Sequence, residues 1–270
     1  MKTAYLIILS TLLFSCSEIE QGQASLAVQP EKKLVNVKSE KMNFYPKLTQ
    51  NIEKILTQNI QERLETEERD RPLVDTTSVY YHYLNEEPHK TSLDKIAAYI
   101  RGKQEKNETC EIIFICTHNS RRSHLAQIWA QTAAAHFELK NIVTYSGGTE
   151  ATAFNARSVA ALERAGFKIE NPGGENPHYK VRFSDDFPAM ECFSKKYSDA
   201  QNPQKGFLAV MVCDDADEAC PLVAGAEARV SLPFTDPKKS DNSPEEAATY
   251  DARSLQIAAE MYYVMKLVLM

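Results

Sequence analysis

A cysteine followed six residues later by an arginine and then a serine is the part of this chain best suited to chemistry: Cys116-Thr117-His118-Asn119-Ser120-Arg121-Arg122-Ser123. The thiolate of a cysteine is a strong nucleophile. An arginine offers a planar fork of donors that holds two oxygens of a tetrahedral anion. The hydroxyl of Ser123 can hydrogen-bond the sulfur and stabilise it when it leaves, and Asn119 can hold the loop through its side chain. Residues Thr117 to Arg122 would then wall an oxyanion site. Context decides whether such a string is more than a structural cysteine beside a solvated basic turn. Here Ile112-Ile113-Phe114-Ile115 precedes it, a short apolar run expected of a buried parallel strand. Ser123 to Phe137 follows it with Leu125, Ile128, Trp129 and Ala133 on one side, as a helix requires. A strand-to-helix junction presents unpaired N–H groups and partial positive charge to an anion. The same field, with Arg122 beside it, favours the thiolate form of a cysteine. The expected chemistry is nucleophilic attack by Cys116 on a bound tetrahedral oxyanion.

The elements that must position this loop are legible along the chain. Ile142 to Tyr145 reads as a second strand, closed by Ser146-Gly147-Gly148-Thr149, where Ser146 and Thr149 would support the loop. Asn155 to Ala165 reads as a helix ended by Gly166. Phe207 to Val212 and Ala228 to Leu232 read as two further strands, and Tyr250 to Leu269 as a closing helix. Strands alternating with helices imply an α/β fold with a parallel sheet covered on both faces. Ligands bind such sheets beyond the carboxyl ends of the strands, where Cys116 falls. Upstream, Leu48, Ile52, Ile55, Leu56, Ile60 and Leu64 recur at helical spacing, with a stop at Arg71-Pro72. Leu93, Ile96, Ala97 and Ile100 mark a second, shorter helix. The expected organisation is a helical extension over 43–104 without recognisable chemistry, then a catalytic domain over 105–270.

Composition narrows the function classes. The 270 residues are 43% hydrophobic and 25% charged, with a formal net charge of −6 and no basic stripe, which argues against a nucleic-acid partner. Ala4 to Ser15 is an apolar run too short to span a bilayer, which takes roughly 20 residues, and it suits a signal peptide over 1–15. Leu13-Phe14-Ser15-Cys16 resembles a bacterial lipobox, so Cys16 is the expected lipidation site, followed by a polar tether over 16–42. The chain is therefore expected to be an exported, membrane-anchored lipoprotein on the periplasmic or cell-envelope side. Of six cysteines, removal of Cys16 leaves Cys110, Cys116, Cys192, Cys213 and Cys220, an odd set with at least one free thiol. Cys110 and Cys192 read as packing residues or an incidental pair. The spacings C-x-H at 116–118 and C-x6-C at 213–220 are not usual for zinc, so no metal and no prosthetic cofactor are expected.

The C-x5-R-S string resembles the anion loop of the low-molecular-weight protein tyrosine phosphatase fold. The segment Cys213-Asp-Asp-Ala-Asp-Glu-Ala-Cys220-Pro221 narrows the resemblance to thioredoxin-coupled arsenate reductases, which share that fold, over roughly Glu111 to Leu269. The resemblance implies a four-stranded parallel, flavodoxin-like sheet flanked by helices. It also implies a general acid in an Asp-Pro pair after the fourth strand, which Asp236-Pro237 matches. It implies two activities. In arsenate reduction, Cys116 attacks arsenic, Cys213 displaces arsenite, Cys220 closes a disulfide with Cys213, and a thioredoxin-like partner resets it. In phosphomonoester hydrolysis, Cys116, Arg122, Ser123 and Asp236 suffice, and Cys213–Cys220 would be a structural disulfide. An oxyanion-binding protein without catalysis is a third possibility. Three positions depart from the family pattern: His118 stands where glycine is usual, Arg121 where a second cysteine is frequent, and Lys238 where phosphatases often carry an aromatic residue. His118 and His124 are expected to flank the loop as solvated donors.

Overall fold

The computed structural model describes residues 42–65 and 87–270, all within one compact unit. The expected leader, Cys16, the tether as far as residue 41 and the Arg71-Pro72 stop lie outside the described residues. Two helices open the chain: α1 (Pro46–Glu65) and α2 (Glu87–Glu105). They are followed by β1 (Cys110–Cys116), α3 (Arg122–His136), β2 (Ile142–Gly148) and α4 (Ala156–Ala165). Three short strands come next, β3 (Lys168–Glu170), β4 (Tyr179–Arg182) and β5 (Met190–Cys192). The chain closes with β6 (Phe207–Met211), α5 (Asp214–Ala219), β7 (Ala226–Ser231), a 3-10 turn (Pro237–Ser240) and α6 (Glu246–Val268).

The main sheet is parallel with strand order β2-β1-β6-β7, so the two central strands are β1 and β6. Successive side chains of a strand face opposite sides. Every residue of β6 is buried, so both faces of the sheet are covered there. That is why FLAVM reads as a continuous apolar run rather than an alternating one. The edge strands are only partly buried. An edge strand leaves backbone groups unpaired, and glutamines of α3 cover those of β2. Gln131 Nε2 donates to the Ile142 carbonyl at 3.2 Å, and its Oε1 accepts from the Thr144 N–H at 3.1 Å. Gln127 Nε2 donates to the Thr144 carbonyl at 3.3 Å.

Helix α3 packs on β1 and β2, and α6 packs against α2, α3 and α4. Trp129 of α3 is fully buried and its indole N–H donates to Ser254 of α6 at 2.9 Å, which satisfies the one polar atom of a large core side chain. Helix α4 follows the capping rules. Asn155 at its N-cap accepts from the Arg157 N–H, and Gly166 ends it in the left-handed conformation at φ 111°. A Cβ at Gly166 would also lie 3.0 Å from Leu48 Cα, so the same glycine admits α1.

Several boundaries differ from the sequence reading, and one sheet was missed. β2 runs on through Ser146-Gly147-Gly148 instead of ending at Tyr145, because those residues still pair with Phe114, Ile115 and Cys116. The strand expected at Ala228–Leu232 begins at Ala226. The closing helix begins at Glu246. The antiparallel sheet β3-β4-β5 has strands of three or four residues, too short to leave a period in the sequence. The N-terminal helices share the core of the sheet. Leu48, Ile52, Leu93, Ile96 and Ile100 are 0–2% exposed. Asn51 donates to the Ala165 carbonyl, and Arg101 Nη2 donates to the Leu267 carbonyl. Among the described residues no helix is long and apolar enough to cross a membrane. Removing a buried leucine side chain costs about 2–5 kcal/mol. Leu93→Ala is therefore expected to lower the unfolding free energy of the whole unit by that amount in a urea titration followed by Trp129 fluorescence.

Candidate functional site: the loop after strand β1

The loop between Cys116 and Arg122 is held from outside by its carbonyl groups. The Cys116 carbonyl accepts from the Thr149 N–H at 3.2 Å, and the Thr117 carbonyl from the Glu150 N–H at 2.8 Å and the Thr149 hydroxyl at 3.1 Å. The His118 carbonyl accepts from the hydroxyls of Ser194 and Thr152, at 2.9 and 3.2 Å. The Ser120 carbonyl accepts from the Asn155 N–H at 2.8 Å. The amides of residues 117–121 have no backbone acceptor among the described residues. A run of free N–H groups opening a helix is an anion-binding concavity.

Asn119 straps the loop. Its Nδ2 donates to Ser123 Oγ at 2.9 Å, and its Oδ1 accepts from the Lys195 N–H at 2.8 Å. It is also the one loop residue with positive φ, 44°, which asparagine tolerates better than most side chains. The left-handed position therefore falls on Asn119, and His118 needs no glycine-like backbone. Gly148, at the end of β2, lies under the loop. A Cβ there would come 2.7 Å from both the Asn119 nitrogen and the Thr117 carbonyl oxygen.

Cys116 is 4% exposed, and its Sγ lies 3.1 Å from Ser123 Oγ. Arg122 starts α3. Its Nη1 donates to the Phe234 carbonyl at 2.8 Å, and its Nη2 donates to Asp236 Oδ2 at 2.9 Å. Asp236 stands beyond β7 at the N-cap of the 3-10 turn, where Oδ1 accepts from the Lys238 N–H at 3.0 Å. Arg121, on the other side of the carboxylate, donates through Nε to the Tyr250 hydroxyl at 2.8 Å and through Nη2 to Asp241 at 3.5 Å. Cys213 follows β6 at the N-cap of α5. It is fully buried, with Sγ 3.5 Å from Thr117 Oγ1. Cys220 stands at the other end of α5 and is partly exposed. The fold thus gathers Cys116, Thr117, Asn119, Arg122, Ser123, Asp236 and Cys213 at one sheet edge, with Cys220 one short helix away. All five described cysteines are free thiols. Burial pushes the thiols of Cys110 and Cys192 up to about 12, which keeps them protonated packing residues.

Two expectations about histidines separate here. His118 is about half exposed and lies 3.7 Å from Glu150. His124 is not solvated at all. It is fully buried, stacks on Phe154 at 4.0 Å, and shares a hydrogen bond of 3.1 Å with Ser146 Oγ. Burial, then the charge of Lys195, hold its titration well below the usual 6.5. Ser146 therefore supports the histidine behind the loop, whereas Thr149 supports the loop itself. Sequence reasoning missed Ser194, Lys195, Tyr250 and Asp241, which lie 78 or more positions from Cys116 and join the site only through tertiary contacts. No local spacing signals them.

A neutral buried histidine makes stability depend on pH. Below 6.5 the unfolded chain takes up a proton that the folded chain refuses, so stability is full above that pH and falls as pH drops. The loss is about 1.4 kcal/mol per pH unit while only the unfolded state titrates. His124→Asn is expected to flatten this slope between neutral pH and about pH 5.5, measured by urea unfolding against the parent chain. Equal slopes for the two proteins would contradict the neutral assignment.

No protein-family model matches the chain. It is similar to curated proteins named arsenate reductase. That of Bacillus licheniformis is 29% identical over 138 residues, covering 50% of this chain and 79% of the relative. Those of Shouchella clausii and Bacillus subtilis are 27% and 28% identical over 135 residues, with the same two shares. Among solved structures, a low-molecular-weight phosphotyrosine phosphatase from Vibrio cholerae aligns with TM-score 0.39 and 13% identity, covering 58% of this chain and 94% of that one. A YwlE mutant from Bacillus subtilis aligns with TM-score 0.41 and 15% identity, covering 60% and 100%. The relatedness read from the C-x5-R-S loop and the C-x6-C segment is thus met in the curated relatives: half of this chain is similar to proteins named arsenate reductase.

Proposed function

We propose that this chain is a cysteine-nucleophile enzyme acting on a tetrahedral oxyanion, and that the reaction is thiol-dependent reduction of arsenate to arsenite. The observation that carries the reading is the second thiol beside the loop: Cys213 is buried against Thr117 at 3.5 Å, next to the nucleophile position, with the thiol of Cys220 following it. A phosphoester hydrolase needs neither.

The loop amides and Arg122 bind arsenate against Cys116. The sulfur attacks arsenic and an oxygen leaves as water, with Asp236 donating the proton. Ser123 Oγ, 3.1 Å from the sulfur, stabilises the thiolate before and after this step. Cys213 then attacks the Cys116 sulfur. The S–As bond breaks, its electron pair stays on arsenic, arsenite departs, and a Cys116–Cys213 disulfide remains. Cys220 attacks Cys213, restores the Cys116 thiolate and leaves a Cys213–Cys220 disulfide, which an external dithiol of the thioredoxin class reduces. The two thiols flank the six-residue α5. At about 1.5 Å rise per residue their Cα atoms would be roughly 10 Å apart while the helix is intact, and a disulfide needs under about 7 Å. Oxidation therefore requires α5 to unwind.

Phosphomonoester hydrolysis is the second reading, favoured by the Arg122–Asp236 contact of 2.9 Å, which sets a candidate acid beside the anion-binding guanidinium. There Cys116 attacks phosphorus, Asp236 protonates the leaving oxygen, and water cleaves the phosphocysteine. The experiment that separates the readings compares Cys213→Ser and Cys220→Ser with the parent protein, on arsenate with a dithiol reductant and on an aryl phosphate. Arsenate reduction is expected to stop after at most one turnover in both variants, while aryl phosphate cleavage keeps its rate within about twofold, as expected of groups outside the transition state. Full multiple-turnover reduction by both variants would overturn the relay. Cys116→Ser is expected to silence either chemistry.

A further inference from the structure

We propose that Arg121 is a positioning residue for Asp236, fixing the carboxyl group above the loop through a strut from α6. This rests on the reading of Asp236 as the proton donor, and it assigns to Arg121 a role that binding of the anion alone does not require. The carboxylate is gripped from three sides. Oδ2 accepts from Arg122 Nη2 at 2.9 Å, Oδ1 accepts from the Lys238 N–H at 3.0 Å, and Oδ1 faces Arg121 Nε at 4.0 Å. Arg122 cannot serve Asp236 alone, because the bound oxyanion draws the same guanidinium. A tetrahedral anion in the loop also repels the carboxylate. A second cation that stays in place when the pocket fills answers both problems.

Arg121 is built to stay in place. Its side chain is 14% exposed, and two of its donors are committed away from the anion. Nε donates to the hydroxyl of Tyr250, a fully buried residue of α6. Tyr250 in turn donates to Asp241 Oδ1 at 2.7 Å, and Arg121 Nη2 reaches Asp241 Oδ2 at 3.5 Å. Asp241 also faces Arg157 at 3.8 Å, and Arg157 pairs with Glu246 at 2.7 Å. A long side chain adjacent to the anion arginine is thereby locked with its charge beside Asp236. The geometry fits a guide for the acid, whose benefit appears only when the leaving group needs a proton.

The test is steady-state hydrolysis of two aryl phosphates: phenyl phosphate, whose leaving oxygen needs protonation, and a strongly activated aryl phosphate, whose leaving group does not. The proteins are the parent chain, Arg121→Gln, Arg121→Lys, Asp236→Asn and the Arg121→Gln/Asp236→Asn double variant, with Tyr250→Phe as a milder release of the same strut. General acid catalysis contributes ~10²–10⁴-fold, so Arg121→Gln is expected to lower kcat for phenyl phosphate about tenfold and Asp236→Asn by more. The activated ester should change less than about twofold with Arg121→Gln. In the double variant the Arg121 change should add nothing to Asp236→Asn, the signature of two residues acting as one. Arg121→Lys should recover part of the loss, and Tyr250→Phe should give the same split between esters at smaller size. Equal losses on both esters, or losses that add in the double variant, overturn the inference, since a mere strut or a direct substrate contact would give them. Calorimetry with inorganic phosphate separates the two failures. A parent chain that binds phosphate yet cleaves neither ester overturns this inference and leaves the oxyanion site standing, whereas one that does not bind phosphate overturns both.

Discussion

The site depends on one backbone constraint: the amides between Cys116 and Arg122 can face an anion only while the carbonyls of the same peptides are satisfied elsewhere. Peptide groups are planar, so turning an N–H inward turns the paired carbonyl outward. Outward carbonyls that lacked partners would cost the full desolvation of a buried polar group. Here the 149–155 segment and Ser194 meet those of Cys116, Thr117, His118 and Ser120. The rest of the neighbourhood follows. Gly148 is required because the loop lies on it, and Asn119 takes the left-handed turn and ties the loop to Ser123 and Lys195. A parallel sheet supplies the arrangement, because β1 and β2 end side by side and pass their chains to the same edge.

Charge is distributed with the same economy. Positive charge at the site comes from the helix start and two arginines. His124 behind the loop stays neutral, and Lys195 is buried with its ammonium over the Phe193 ring at 4.5 Å. The thiols divide into two sets. Cys110 and Cys192 are buried with their ionisation pushed up to about 12, which suits packing. Cys116 and Cys213 lie at one edge of the sheet, with Cys220 one short helix away. Asp236 lies between Arg121 and Arg122, so the side chain of Arg121, where the resemblance leads one to expect a second cysteine, faces this carboxylate and the Tyr250 hydroxyl.

Much of this was legible in the sequence because it is local. The apolar runs of β1 and β6, the helix after Ser123 and the Asn155 and Gly166 caps are patterns within a dozen residues, and they sufficed for the parallel sheet and for the placement of Cys116 and Cys213. What could not be read is non-local. The supports Ser194, Lys195, Tyr250 and Asp241 come from a loop and a helix far along the chain. The β3-β4-β5 sheet consists of strands too short to show a period. His124 misled for a related reason: sequence shows that it adjoins a charged loop, but not that Phe154 and Ser146 enclose it.

On the proposed reading the loop activates the Cys116 sulfur as a nucleophile and accepts a tetrahedral anion against it. The most direct measurement is the rate of iodoacetate alkylation at each cysteine, resolved by mass spectrometry across pH, with and without inorganic phosphate. Cys116 should react faster than the more exposed Cys220 at about pH 6, and phosphate should suppress its reaction while leaving Cys220 unchanged. A Cys116 that reacts no faster than Cys220 at that pH and ignores phosphate would contradict the claim.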